Sequence, residues 1–124
     1  MRPERNFIGT AHNSILELDR QEWDECFAGE IEGYDHHAAL ERASFAGFAL
    51  GWYAVRAGGK LVCAAPTFRT KYDLLTTVQD RMRDVLGSSS RHLSGWLTLG
   101  LSCLGSPEAE HCQIGFHHSL NESE

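Results

Sequence analysis

The sequence predicts an α+β domain, and three observations carry that expectation. Two apolar runs, Phe48–Val55 (FALGWYAV) and Leu61–Phe68 (LVCAAPTF), flank the turn segment Arg56-Ala57-Gly58-Gly59-Lys60. Two helical patterns come before them. A further helical pattern and an alternating segment come after. The expected architecture is therefore two N-terminal helices, a β-hairpin, a further helix and a third strand, packed in layers. A polar N-terminal segment, 1–18, precedes this unit (19–116), and a polar tail, 117–124, follows it.

The first thirteen residues are polar and read as frayed or extended. A helix starts at Asp19. Asp19 and Glu22 have the spacing of a capping box, with Asp in place of Ser or Thr. Trp23 and Phe27 lie one turn apart and share a face, and Gly29 suits the stop. The second helix spans about Tyr34–Ala43. Its stripe of Tyr34, His37, Ala38 and Glu41 gives a modest apolar face that must pack on something larger.

In the hairpin, Gly58 and Gly59 supply the positive φ that a tight turn needs. Both strands are apolar at consecutive positions, so cover is expected on both sheet faces. Pro66 cannot donate to a ladder and belongs at a strand end, an edge or a bulge. Leu74, Leu75, Val78, Met82, Val85 and Leu86 follow helical spacing, with Asp73 as cap and Gly87 as stop. Leu97, Leu99, Leu101 and Cys103 alternate with polar or small residues and read as the third strand. Ser106-Pro107-Glu108 has the pattern of a helix start.

With 124 residues and 42% apolar content, the chain has room for one domain with a real core. The net charge of −6 argues against a general nucleic-acid or anionic-membrane binder. No apolar run approaches the roughly 18 residues of a membrane span. The N-terminus lacks the apolar stretch of a secretory signal, so a cytoplasmic location is expected. Without a signal, Cys26, Cys63, Cys103 and Cys112 are expected as free thiols.

Charge is unevenly spread. Residues 51–95 hold seven basic and three acidic groups, net +4, whereas residues 1–50 are net −6 and residues 96–124 net −4. Only the middle favours an anionic ligand. Its candidate cofactor-binding residues are Arg69, Lys71, Arg81 and Arg83. The bland reading is that oppositely charged segments lie side by side. His37 and Glu41, at i and i+4, are placed to touch a proton or a metal together, or simply to form an ordinary surface ion pair. His111, Cys112, His117 and His118 have metal-ligating side chains, but their spacing matches no usual finger. They read as a solvated tail, and no metal site is assigned.

Two passages resemble a known family. One is Phe48–Phe68, the hairpin. The other is Cys103-Leu-Gly-Ser-Pro-Glu-Ala-Glu-His-Cys-Gln-Ile-Gly-Phe116. Together with the span from about Asn13, they resemble the N-terminal part of GNAT-superfamily acyl-CoA N-acyltransferases. The likeness is to larger bacterial members related to peptidoglycan-bridge-type aminoacyltransferases. The resemblance implies a partial GNAT-like layered sheet. It also implies acyl transfer from acyl-CoA, as cosubstrate, to an amine, with this half forming one wall of the acceptor groove. A carboxylate can act as base in such an enzyme, which makes Glu108 and Glu41 candidates beside His37. The family's phosphate-gripping element resembles Gln/Arg-x-x-Gly-x-Gly/Ala between a strand and a helix. No stretch here fits it. The chain therefore reads as a front portion that needs a C-terminal CoA-binding half, or a second copy, as partner. The alternative is a non-catalytic module that pairs an exposed strand edge with itself or another protein, motivated by Leu97, Leu99 and Leu101.

Overall fold

The structure is a computed structural model that describes residues 5–74 and 98–123. It is α+β. Strand β1 (Phe7–His12) leads through a 3-10 turn (Ile15–Glu17) to helices α1 (Arg20–Cys26) and α2 (Tyr34–Ala43). Strands β2 (Phe48–Ala57), β3 (Lys60–Asp73), β4 (Thr98–Leu104) and the short β5 (Gly115–Phe116) follow, and a 3-10 segment, His118–Ser123, closes the described chain. The sheet runs β1-β2-β3-β4, all antiparallel, with β5 also on β3. Among the described residues, no helix is long and apolar enough to cross a membrane.

The two N-terminal helices form where the sequence places them. Asp19 accepts from the Glu22 N–H at 3.0 Å, so the cap is real. The reciprocal half of the capping box is absent, because the Glu22 carboxylate turns away to Arg56 (2.8 Å) and to the Leu61 N–H (3.2 Å). Gly29, at φ +85°, ends the first helical stretch. Asp24 reaches forward to accept from the Tyr34 N–H at 2.8 Å and so caps α2 from the side.

Of the two expectations for the N-terminal segment, frayed or extended, β1 is the second over Phe7–His12. Its side chains are mostly exposed and bury little apolar surface. What orders it is pairing with β2, from Phe7 opposite Ala57 to His12 opposite Trp52. A long-range partner of this kind leaves no local pattern to read.

The hairpin turns at Gly58 and Gly59, with φ +58° and +84°, as a two-residue turn requires. Both strands run further than their apolar stretches. Asp73, expected to cap a helix, is the last residue of β3, opposite Thr98. The helix expected over Leu74–Leu86 lies, beyond Leu74, outside the described residues. β3 carries a bulge: Arg56 faces Leu61 and Val55 faces Cys63, which leaves Val62 extra. The bulge puts Leu61 and Ala64, three residues apart, into the same core.

That core is Ile15, Leu18, Trp23, Cys26, Phe27, Tyr34, Trp52, Ala54, Leu61 and Ala64, between the helices and one sheet face. Trp23 stacks on Phe27 with ring centroids 5.0 Å apart. Cover of the other face is partial over the described residues, where Ala65 and Thr67 are buried. On the other face Tyr53 is 42% exposed. The consecutive apolar positions reflect the parity change at the bulge as well as burial.

Pro66 sits inside β3, not at its end. On its β2 side it faces Trp52, and on the other side β5 pairs only at Cys63 and Ala64, and β4 begins at Thr67. Its carbonyl accepts from the Gly105 N–H at 2.8 Å in that gap. The missing donor therefore costs no ladder bond. Ser106-Pro107-Glu108 forms a turn, not a helix, among the described residues.

The docking of β5 depends on Gly115, where an added Cβ would lie 2.7 Å from the Phe27 ring. Gly115→Ala is expected to destabilise the fold by about 1–3 kcal/mol through overpacking, read as a lowered urea midpoint.

Candidate functional site

The sheet face turned away from the helices carries the candidate site. Trp52 and Pro66 face each other on the helix side. Successive side chains alternate, so Gly51 with Thr67, and Ala49 with Arg69, face the other way. Continuing across β3, Arg69 lies opposite Ser102 and Lys71 opposite Gly100. Arg69 and Lys71 thus stand about 7 Å apart along one strand, on one face. Neither forms an ion pair among the described residues.

An open pocket of about 760 Å³ lies over this face, lined by Ala49, Arg69, Lys71, Gly100 and Ser102 and by the strand segments between them. That volume is in the range of small-molecule sites. Gly100 helps to make the room, since an added Cβ there would meet nothing within 4 Å. An adjoining pocket of about 150 Å³ shares Ala49, Arg69 and Ser102 and adds Asn13, Tyr53 and Thr67. Gly51 closes its floor: a Cβ there would lie 3.1 Å from Thr67 Cγ2 and 3.3 Å from the His12 carbonyl oxygen.

The sequence named Arg69 and Lys71 as candidates, and the register brings them together. Arg81 and Arg83 lie outside the described residues. Ser102, Gly100 and Asn13 were not singled out. The alternation of β4 held the signal for Ser102 and Gly100, but assigning their face needs the cross-strand register.

The catalytic candidates have other roles. Glu41 does not meet His37; its carboxylate accepts from the Ile15 N–H at 2.9 Å and holds the 3-10 turn. His37 is buried, edge-on to Trp23 with ring centroids 5.3 Å apart. Burial, helped by neighbouring His36 and opposed by Glu108, pushes its pKa down to about 4, so the ring is neutral near pH 7. His36 lies 3.3 Å from Glu108. Burial alone would raise the Glu108 pKa. The nearby Ser106 hydroxyl, the residue's own backbone N–H and His36 outweigh it and hold the carboxyl below its usual range. The Ser106 oxygen itself stays outside good hydrogen-bonding geometry. Of the catalytic candidates, Glu108 is thus the one that the fold pairs with a histidine, and that histidine is His36.

The C-terminal histidines differ in burial. His117 is buried, and its Nε2 lies 3.2 Å from Glu25. Its Nδ1 accepts from the Ser119 N–H at 3.1 Å, which leaves the proton on Nε2 to donate to Glu25. His118 is exposed, its ring tilted against that of His117 with centroids 4.0 Å apart. Among the described residues, no three His, Cys, Asp or Glu side chains converge as metal ligands do. All four cysteines are free. No family model matches the chain, and no curated protein or solved structure matches it either.

The buried His37 makes stability depend on pH with a definite sign. Its folded pKa lies below the unfolded value, so its contribution is complete above about pH 6.5 and is lost as pH falls through about 4. Urea midpoints between pH 7 and pH 4 are expected to fall more steeply for the wild type than for His37→Gln. The difference should reach up to about 3 kcal/mol at the acid end.

Proposed function

We propose that the chain is the N-terminal portion of a GNAT-like N-acyltransferase, which moves an acyl group from acyl-CoA to an amine and is completed by a C-terminal half or a partner chain. One observation carries this reading: Arg69 and Lys71, without ion pairs among the described residues, side by side over an open pocket of about 760 Å³. Two adjacent cations in a partly apolar pocket fit a ligand that joins anionic groups to an apolar one. An acyl-CoA is such a ligand. In the transfer the amine nitrogen attacks the thioester carbonyl carbon, the C–N bond forms and the C–S bond breaks. CoA leaves as the thiol, taking up the equivalent of the proton that the amine gives up. The family's motif-borne phosphate grip is absent from the sequence, so the donor contacts proposed here are partial ones.

A second reading has its own observation. β4 is the outer strand of the order β1-β2-β3-β4 among the described residues, and Leu99 and Leu104 on it are 48% and 50% exposed. Such an edge can add a strand from a second copy or from another protein. A concentration-dependent dimer in light scattering, together with no ligand binding, would favour this module.

Calorimetric titration of the purified chain with acetyl-CoA tests the first reading. Saturable one-site binding is expected. Lys71→Gln and Arg69→Gln should each weaken it roughly tenfold or more, the worth of one charge-assisted contact. Gly100→Leu should abolish it by filling the pocket while the fold persists. Absence of binding in a folded chain would contradict the proposal.

A further inference from the structure

Resting on the acyl-transfer reading above, we infer that the smaller compartment seats the acceptor, and that the acceptor is a compact amine bearing a carboxylate, of the amino-acid class. The two compartments differ in chemistry. Lys71 lines only the larger one, whereas Asn13, Tyr53 and Thr67 line only the smaller. The smaller one offers neutral hydrogen-bonding side chains and one cation, Arg69, which has no ion pair among the described residues, with no carboxylate on its lining. The His12 ring is already engaged by Thr10 at 2.8 Å and Glu17 at 3.0 Å. A guanidinium fork matches a carboxylate through two parallel hydrogen bonds. A bare alkylammonium finds no anion there and meets a like charge.

Size points the same way. About 150 Å³, closed below by Gly51 against Thr67, admits a small head and excludes a long chain. Arg69 and Ser102 border both compartments. A carboxylate on Arg69 therefore places the attached amine at the boundary, facing the compartment assigned to the donor.

The test is an NMR titration of the 124-residue chain with L-alanine, with ethylamine (the same skeleton without the carboxylate) and with acetyl-CoA. L-Alanine is expected to bind saturably, with shifts centred on Asn13, Gly51, Tyr53 and Ser102, and ethylamine to leave them unmoved. Asn13→Leu and Gly51→Ala should weaken L-alanine at least tenfold and change acetyl-CoA affinity less than twofold; Lys71→Gln should do the reverse. An equal response to ethylamine overturns the carboxylate assignment. No response to L-alanine in a chain that binds acetyl-CoA overturns the acceptor site and leaves the transferase reading standing. Saturable L-alanine binding without acetyl-CoA binding removes the transferase reading and the acceptor role with it. Silence toward both ligands overturns both.

Discussion

One carboxylate at one bulge sets the geometry of this fold. Glu22 of α1 takes the Arg56 guanidinium at 2.8 Å and the Leu61 N–H at 3.2 Å, on either side of the rung where β3 gains its extra residue. Val62, the extra residue, presents its carbonyl to the His117 N–H at 2.9 Å. The His117 ring in turn returns to α1 through Glu25. The Gln21 amide, opposed by burial and aided by His117 and Lys60, keeps the Glu25 carboxyl below its usual pKa, so the anion is present to accept. Helix, hairpin and C-terminal segment thus meet at one irregularity. A partly buried carboxylate there satisfies the Leu61 backbone donor beside the bulge.

The side-chain period of a strand is two, so an extra residue inverts everything beyond it. With the bulge, Leu61, Ala64 and Pro66 face the helices, and Thr67, Arg69 and Lys71 face the open pocket. In an unbulged hairpin closed by the same two-residue turn, Arg69 would stand opposite Phe48 and point to the helix side. The proposed site and the core therefore share one cause. The small side chains of Ala49, Gly100 and Ser102 then leave open space where larger ones would fill the face.

Much of this was legible in the residues. Asp19, the Trp23–Phe27 pair, the bounds of α2 and the Gly58-Gly59 turn are local signals, and each stands where its spacing put it. Non-local features were not legible. β1 exists because β2 offers it an edge, and Glu22 leaves its capping role because a guanidinium and a backbone donor sit nearby. The same holds for the site. Composition marked Arg69 and Lys71 as part of a basic stretch, but which face they share is set by a bulge that no residue in LVCAAPTF announces. Glu41 and His37 lie one turn apart, yet the former serves the Ile15 N–H and the latter packs edge-on to Trp23. Helical spacing fixes a shared face and leaves each partner open.

Cross-strand NMR contacts in the intact chain report the parity of β3, on which both the core and the open face rest. Backbone contacts joining Val55 to Cys63 and Ala54 to Ala64 are expected, with Val62 unpaired against β2. Contacts joining Val55 to Val62 and Ala54 to Cys63 would show an unbulged hairpin. Arg69 and Lys71 would then lie on the helix side, and the site proposed on the open face would not exist.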